Sequence, residues 1–322
     1  MTSSPSSPPL SAADALAAIR AGGKPALARA LTRAEAEASR PEIVRLLDAA
    51  ANAPGGPVLG LTGPPGVGKS TLTNALIGRA REAGRSVGVI AVDPSSRVTG
   101  GALLGDRTRL RTDPEDTGIF VRSMAARDRL GGLSDHAIAA IALMRAVMDV
   151  TIVESVGIGQ SEADVSFVAD TVILCIQPGS GDSLQFMKAG VMEIPDVVCV
   201  TKADMGAVAR RARADVEGAL TLGVRDDPAW TPPVVMVSAI HGTGLEDLGA
   251  AVTNHEQTIA IPATRAARHR VQMIHWVADA IRTRFGTAGL ARIDPARLID
   301  ETGGPFAAIA AASADLGARL AG

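Results

Sequence analysis

Seven short apolar runs recur along the chain, at residues 58–62, 86–92, 118–122, 150–153, 171–176, 197–200 and 234–237. They are rich in Val and Ile and continuous rather than alternating, the pattern of strands buried on both faces. Helical patterns lie between them at 70–81, 134–148 and 206–222. Strands alternating with helices predict an α/β fold, a mostly parallel sheet with helices on both faces. In such sheets ligands bind at the carboxyl ends of the strands.

Helical stretches without strands flank this region. Residues 10–51 are Ala-rich with no β-branched run, and Pro41 suits a helix start. Residues 1–9, dominated by Ser and Pro, are expected to be disordered. Asn52-Ala53-Pro54-Gly55-Gly56-Pro57 marks a boundary before the first strand. In 269–285, Val271, Ile274, Ala278, Ile281 and Phe285 recur at spacings of three and four. They form one apolar stripe, fit to pack on the central domain or on a partner's helix. The expected organisation is a disordered start and helical extension over 1–54, an α/β domain over 55–255 and a helical arm over 256–322.

The first strand runs into Gly63-Pro64-Pro65-Gly66-Val67-Gly68-Lys69-Ser70-Thr71. This fits G-x-x-x-x-G-K-[ST], a loop whose backbone N–H groups cradle the phosphates of a nucleotide. Its glycines let the main chain approach an anion closely. Lys69 reaches the β- and γ-phosphates in this reading, the Ser70 hydroxyl takes Mg²⁺, and the helix opening at Ser70 faces the phosphates with its positive end.

Further candidates fall at successive strand ends. Asp93 closes the second run, placed to hold a metal-bound water or to orient the attacking one. Glu154, in Glu154-Ser155-Val156-Gly157, matches the pattern that senses a γ-phosphate, with the acid toward Mg²⁺ and the Gly157 N–H toward phosphate. Gly105-Asp106-Arg107-Thr108-Arg109 is a polar loop able to close over the nucleotide, with Asp106 a candidate for the metal and the catalysis. Thr201-Lys202-Ala203-Asp204 stands where GTPases carry Asn-Lys-x-Asp. Asp204 can accept both guanine N1–H and N2–H₂, a pair adenine does not offer. Thr201 departs from the pattern, because a hydroxyl cannot supply both functions of an amide. Ser238 and Ala239, after the last run, fit a loop that supports guanine through its backbone.

Composition narrows the reading. Aromatic residues are 2% of the 322, and the net charge is −2. Neither a stacking platform for nucleic acid nor a basic field for nucleic acid or an anionic membrane is implied. No run approaches the length of a membrane span, and the N-terminal stretch lacks a signal-peptide pattern. Cys175 and Cys199 sit in apolar runs, as buried reduced thiols do. A soluble cytoplasmic protein is expected.

Residues 59–248 resemble the methylmalonyl-CoA-mutase-associated GTPases of the MeaB/ArgK type. The resemblance rests on residues 63–71, Asp93-Pro94-Ser95-Ser96, Thr99-Gly100-Gly101, Leu104-Gly105-Asp106-Arg107, residues 154–157 with 159–162, and residues 187–193. Glu154, where most GTPases have Asp, marks a wider class shared with metal-insertion GTPases. The resemblance implies GTP hydrolysis with Mg²⁺, a homodimer formed through the helical tail, and binding to an adenosylcobalamin-dependent acyl-CoA mutase. Methylmalonyl-CoA mutase is the foremost such partner, and gating of cofactor loading the implied role. Residues 177–188 match a loop that relays the nucleotide state to the mutase.

Other readings compete. A metallochaperone inserting nickel or cobalt needs convergent ligands, but His136, His241, His255, His269 and His275 show no ligand spacing. A P-loop small-molecule kinase would favour ATP, and a non-catalytic scaffold would bind nucleotide without turnover.

Overall fold

The computed structural model describes residues 11–93, 110, 112–125, 133–155, 164–179, 194–222 and 230–321. The expected disordered start, Asp106, Gly157 and most of the 177–188 loop lie outside these residues.

Each of the seven apolar runs is a strand: β1 Val58–Thr62, β2 Val87–Asp93, β3 Ile119–Ala125, β4 Val150–Glu154, β5 Thr171–Ile176, β6 Val197–Val200 and β7 Val234–Met236. They form one sheet in the order β3-β2-β4-β1-β5-β6-β7, and every pairing is parallel. The third strand continues past Arg122, the last residue of the run read in sequence. Arg122 is neutralised by Glu35 at 2.6 Å, so the strand carries it under a helix.

Ten α-helices stand among the described residues: α1 Ala12–Ala21, α2 Gly23–Ala36, α3 Pro41–Asn52, α4 Lys69–Glu82, α5 Asp135–Val147, α6 Ala207–Leu222, α7 Leu245–Ile259, α8 Pro262–Leu290, α9 Pro295–Thr302 and α10 Pro305–Ala321. Ser11 caps α1 by accepting the Asp14 N–H, and Pro41 occupies the first turn of α3.

Every residue of α5 from Ala137 to Ala146 is buried. A helix apolar on all sides needs cover on all sides. The sheet lies beneath it through β2 and β4, and α1, α2, α3 and α8 surround the rest. Leu27, Leu31, Ile43 and Leu47 of the N-terminal helices thereby share one core with Ile141 and Met144, with Val153 of the sheet, and with Trp276, Val277 and Ile281 of the tail. On the other face Leu72 and Ile77 of α4 and Leu248 and Val252 of α7 cover Leu61, Ile152 and Ile173. Val216 of α6 covers Val198 and Val200.

The tail stripe differs from the one read in sequence. The face of α8 that is buried carries Met273, Trp276, Val277, Ala280 and Ile281, while Val271 is exposed. The polar ends of Gln272 and Trp276 explain the rotation. Gln272 Nε2 donates to the Ala169 carbonyl at 2.8 Å, and Trp276 Nε1 donates to the Phe167 carbonyl at 2.7 Å. Both partners belong to or follow the 3₁₀ turn Val165–Phe167, on which the His275 ring stacks through Phe167. Residues with polar tips and apolar bodies thus fill the docked face, which a purely apolar tally misplaces. Gly286 (φ 68°, ψ −174°) interrupts α8 before its last turn.

At the amino ends of the strands a buried polar cluster joins three parts of the chain. Arg145 of α5 lies 2.9 Å from His269 Nδ1 and 3.5 Å from the Asp170 carboxylate. Asp170 accepts the Val58 N–H at 2.9 Å, and His269 Nε2 meets the Ala51 carbonyl at 2.7 Å. That pattern assigns a neutral ring with its proton on Nε2, so Nδ1 can accept from Arg145.

Burial first, and then the neighbouring Arg145 charge, hold the His269 pKa below its usual 6.5. The unfolded chain therefore takes up this proton before the folded one. The stability that the neutral ring supplies is fully present above pH 6.5 and is lost as pH falls from there through the folded value. We predict that His269→Gln flattens the fall in unfolding free energy below pH 6.5, by at most about 1.4 kcal/mol per pH unit. Urea unfolding of both proteins between pH 5 and 8 reads this; parallel curves would refute it.

Candidate functional site

The sheet order puts β1 and β4 side by side, with the chain leaving toward β2 on one side and β5 on the other. The crevice outside their carboxyl ends is where such sheets bind ligands.

The loop after β1 is built for close backbone approach. Gly63 has φ 131° and touches β5, so a Cβ there would overlap the Cys175 carbonyl oxygen. Gly68 has φ 103° and directly precedes α4, whose first turn has no side-chain cap. That leaves helix N–H groups facing the loop, the arrangement that attracts anions. Val67 is fully buried and pins the loop to the core, while Pro65 and Gly66 are exposed at its tip. Lys69 is buried, and its Nζ donates to the Gly63 carbonyl at 2.7 Å and the Pro64 carbonyl at 3.1 Å. The ammonium is thus folded over the phosphate loop. Ser70 is half-buried, and Thr71 points outward in the first turn of α4.

Glu154 ends β4 beside Leu61 of β1. Its carboxylate is buried and takes two hydroxyls from α4, Ser70 Oγ on Oε1 at 2.8 Å and Thr73 Oγ1 on Oε2 at 3.0 Å. The next residue, Ser155, donates to Thr62 Oγ1 at 3.0 Å and ties the two strand ends together. A hydroxyl and a carboxylate at an anion-binding helix start form an oxygen donor set that suits Mg²⁺. Ala91 of β2 pairs with Glu154, so the β2 backbone carries Asp93 past it at the same edge. The Asp93 side chain, like Asp106 and Gly157, lies outside the described part of the structure.

The third group follows β6 and β7. Thr201 is buried, and its hydroxyl lies 2.7 Å from the Val67 carbonyl and 3.2 Å from that of Ile176. Lys202 is the one non-glycine residue with positive φ (52°) among those described. Its Nζ reaches the Gly66 carbonyl at 3.2 Å and Gln177 Oε1 at 2.6 Å. Asp204 is exposed and accepts Ser238 Oγ at 2.6 Å, a bond that holds its carboxyl below the usual range. The Ala203 N–H donates to the Val237 carbonyl, and Ser238 bridges to Thr243, with Ala239 following half-buried. The base-side loop is therefore bonded to the phosphate loop through Thr201 and Lys202, and to the β7 end through Asp204.

Residues 27–291 match the family profile described as methylmalonyl Co-A mutase-associated GTPase MeaB. The chain belongs to this family. A Pyrococcus horikoshii protein named as a GTPase is 40% identical over 265 residues, 79% of this chain and 81% of that one. A mouse protein named methylmalonic aciduria type A homolog, mitochondrial, is 35% identical over 236 residues, 71% of this chain and 57% of its own length. A crystal structure titled LAO/AO transport system kinase superposes with a TM-score of 0.69 at 27% identity, covering 91% and 90% of the two chains. The chain is thus a P-loop GTPase of the MeaB family, binding GTP and GDP.

Sequence brings together Gly63 to Ser70 with Glu154, and Thr201, Lys202, Asp204 and Ser238, as the structure places them. It misses Thr73, and names Gln177 only as the start of the 177–188 loop. Thr73 sits three residues after Ser70, which puts both hydroxyls on one helical face, a spacing that could have exposed it. Three of the five histidines, which show no ligand spacing in sequence, have structural partners: His255 with Asp196 and Thr171, His269 with Arg145, His275 on Phe167.

Gly63→Ala should lower GTP affinity at least about tenfold, because a side chain there must push the loop away from the Cys175 carbonyl. Titration with a fluorescent GTP analogue measures it, and unchanged affinity would count against this loop as the phosphate site.

Proposed function

We propose that the protein hydrolyses GTP with Mg²⁺ at the carboxyl edge of β1 and β4, and that its nucleotide state gates an adenosylcobalamin-dependent acyl-CoA mutase, methylmalonyl-CoA mutase foremost. The observation that carries the guanine half is the Asp204–Ser238 contact, which orients an exposed carboxylate beside the phosphate loop. The mutase half rests on the family match over most of the chain.

In this reading the backbone N–H groups of residues 63–68 and the N-terminus of α4 receive the β-phosphate. Lys69 swings from the Gly63 and Pro64 carbonyls to the β/γ bridge, where its charge meets what develops in the transition state. Mg²⁺ supplies charge neutralisation between the β- and γ-phosphates. Ser70, Asp93, Asp106 and Glu154 are the candidates to hold it directly or through water, and the Gly157 N–H faces the γ-phosphate. Asp204 accepts guanine N1–H and N2–H₂, Lys202 lies over the base plane, and Ser238 and Ala239 support its far edge. Thr71 extends the loop on the solvent side. Gln160 does not directly follow Gly157, so positioning of the attacking water is left for the partner to complete. The helices of residues 256–322 form the homodimer contact, and the protein acts in the cytoplasm.

The expected preference is for GTP and GDP over ATP, and Asp204→Ala should erase it by about a hundredfold. Competition binding with both nucleotides tests this, and equal GTP and ATP affinity in the unaltered protein would refute guanine recognition.

Hydrolysis by the isolated protein should be slow and the mutase should accelerate it, by up to about 10³–10⁵ if it supplies a charged finger. By reciprocity the mutase must then bind the GTP-analogue and GDP forms with different affinity. Single-turnover hydrolysis with and without the mutase, together with its affinity for both forms, is the measurement. No acceleration combined with equal affinities would leave a GTPase that does not serve a mutase.

A further inference from the structure

Glu154 carries one more methylene than the aspartate usual in this position, and so one more torsion to be fixed before its carboxylate can serve a cation. The structure fixes that torsion with two hydroxyls on the same face of α4, Ser70 Oγ on Oε1 and Thr73 Oγ1 on Oε2. The two bonds differ in what happens when Mg²⁺ arrives. Ser70 lies in the first turn after the phosphate loop and is the hydroxyl that the loop motif assigns to the metal. Its bond to Glu154 must then be given up or rearranged. Thr73 lies one turn deeper, fully buried, with its hydroxyl on the carboxylate oxygen that faces away from Ser70.

We propose that Thr73 is a positioning residue for the Mg²⁺ site, a donor that keeps the Glu154 carboxylate oriented once Ser70 turns to the cation. The inference rests on the reading of Ser70 and Glu154 as the Mg²⁺ side of a GTPase site. Partners of this kind orient metal-site carboxylates without touching the metal, and their loss typically weakens metal binding by about 10- to 100-fold. The β-branched side chain also helps: held on a helix by its own χ1 restriction, Thr presents its hydroxyl in few directions. Serine at this position keeps the donor and loses only the methyl group. Valine keeps the shape and loses the donor.

The test compares Thr73→Val and Thr73→Ser with the unaltered protein. Fluorescent GDP is titrated in EDTA and then across a Mg²⁺ series, with thermal unfolding run alongside. Thr73→Val should leave GDP affinity in EDTA within about twofold and raise the half-saturating Mg²⁺ concentration about tenfold or more. Thr73→Ser should restore the Mg²⁺ response. A Thr73→Val protein that unfolds early, with Thr73→Ser normal in stability yet shifted like Val in its Mg²⁺ response, would overturn the proposal. So would Thr73→Val with an unchanged Mg²⁺ response. A protein whose GDP binding ignores Mg²⁺ altogether, before any substitution, would fail at the underlying reading of Ser70 and Glu154 instead, which separates the two failures.

Discussion

A parallel strand buried on both faces offers no side to water, and that constraint organises this protein. The five inner strands of the sheet are of this kind, and its two faces need helices everywhere except at the strand ends. One covering helix, α5, is itself apolar all round, so it must be covered in turn. The N-terminal helices and the tail meet that need, which is why Leu31, Ile43, Trp276 and Ile281 share a single core. The described residues of the candidate site lie at the carboxyl edge of the strands.

The same constraint accounts for what could be read from the chain. The strand runs are continuous and apolar, so all seven stood out, with the largest difference in bounds at β3, which runs on past Arg122. Glu35, which pairs with Arg122, lies far away in sequence. The tail helix was legible as a helix but not in its orientation. Its docking face is chosen by Gln272 and Trp276 reaching backbone carbonyls near the Val165–Phe167 turn, bonds that depend on tertiary placement. The site divides in the same way. The phosphate loop was legible because backbone geometry demands glycine at fixed spacing. Thr73 was harder to see, because only its spacing from Ser70 marks it in the chain and its partner, Glu154, lies distant in sequence on β4.

The tail's attachment also ties it to the Val165–Phe167 turn. The Val165–Phe167 turn follows the segment that begins at Glu154, and three residues of α8 hold it: Gln272, His275 and Trp276. A displacement of this turn would therefore work against a packed contact with the tail rather than against solvent. Packed interfaces shift between discrete arrangements rather than deforming by degrees.

The energetics of nucleotide binding follow from the bonds already in place. Lys69 is bonded to loop carbonyls, Ser70 to Glu154, and Asp204 to Ser238. In the proposed reading each of these groups exchanges or shares an internal hydrogen bond with the ligand, and an exchanged bond contributes little net free energy. Affinity must come from what is not traded: the backbone N–H groups and helix terminus turned toward the phosphates, and the concentration of opposite charge when a polyphosphate meets Lys69. Specificity works the other way. In the proposed reading Asp204 keeps the Ser238 hydroxyl, because a carboxylate has lone pairs to spare, and gains two donors from guanine, whereas adenine would leave it facing a ring nitrogen that only accepts. The internal bonds would then hold the site in shape without setting its affinity, and leave the identity of the base as the quantity that the loop after β6 governs.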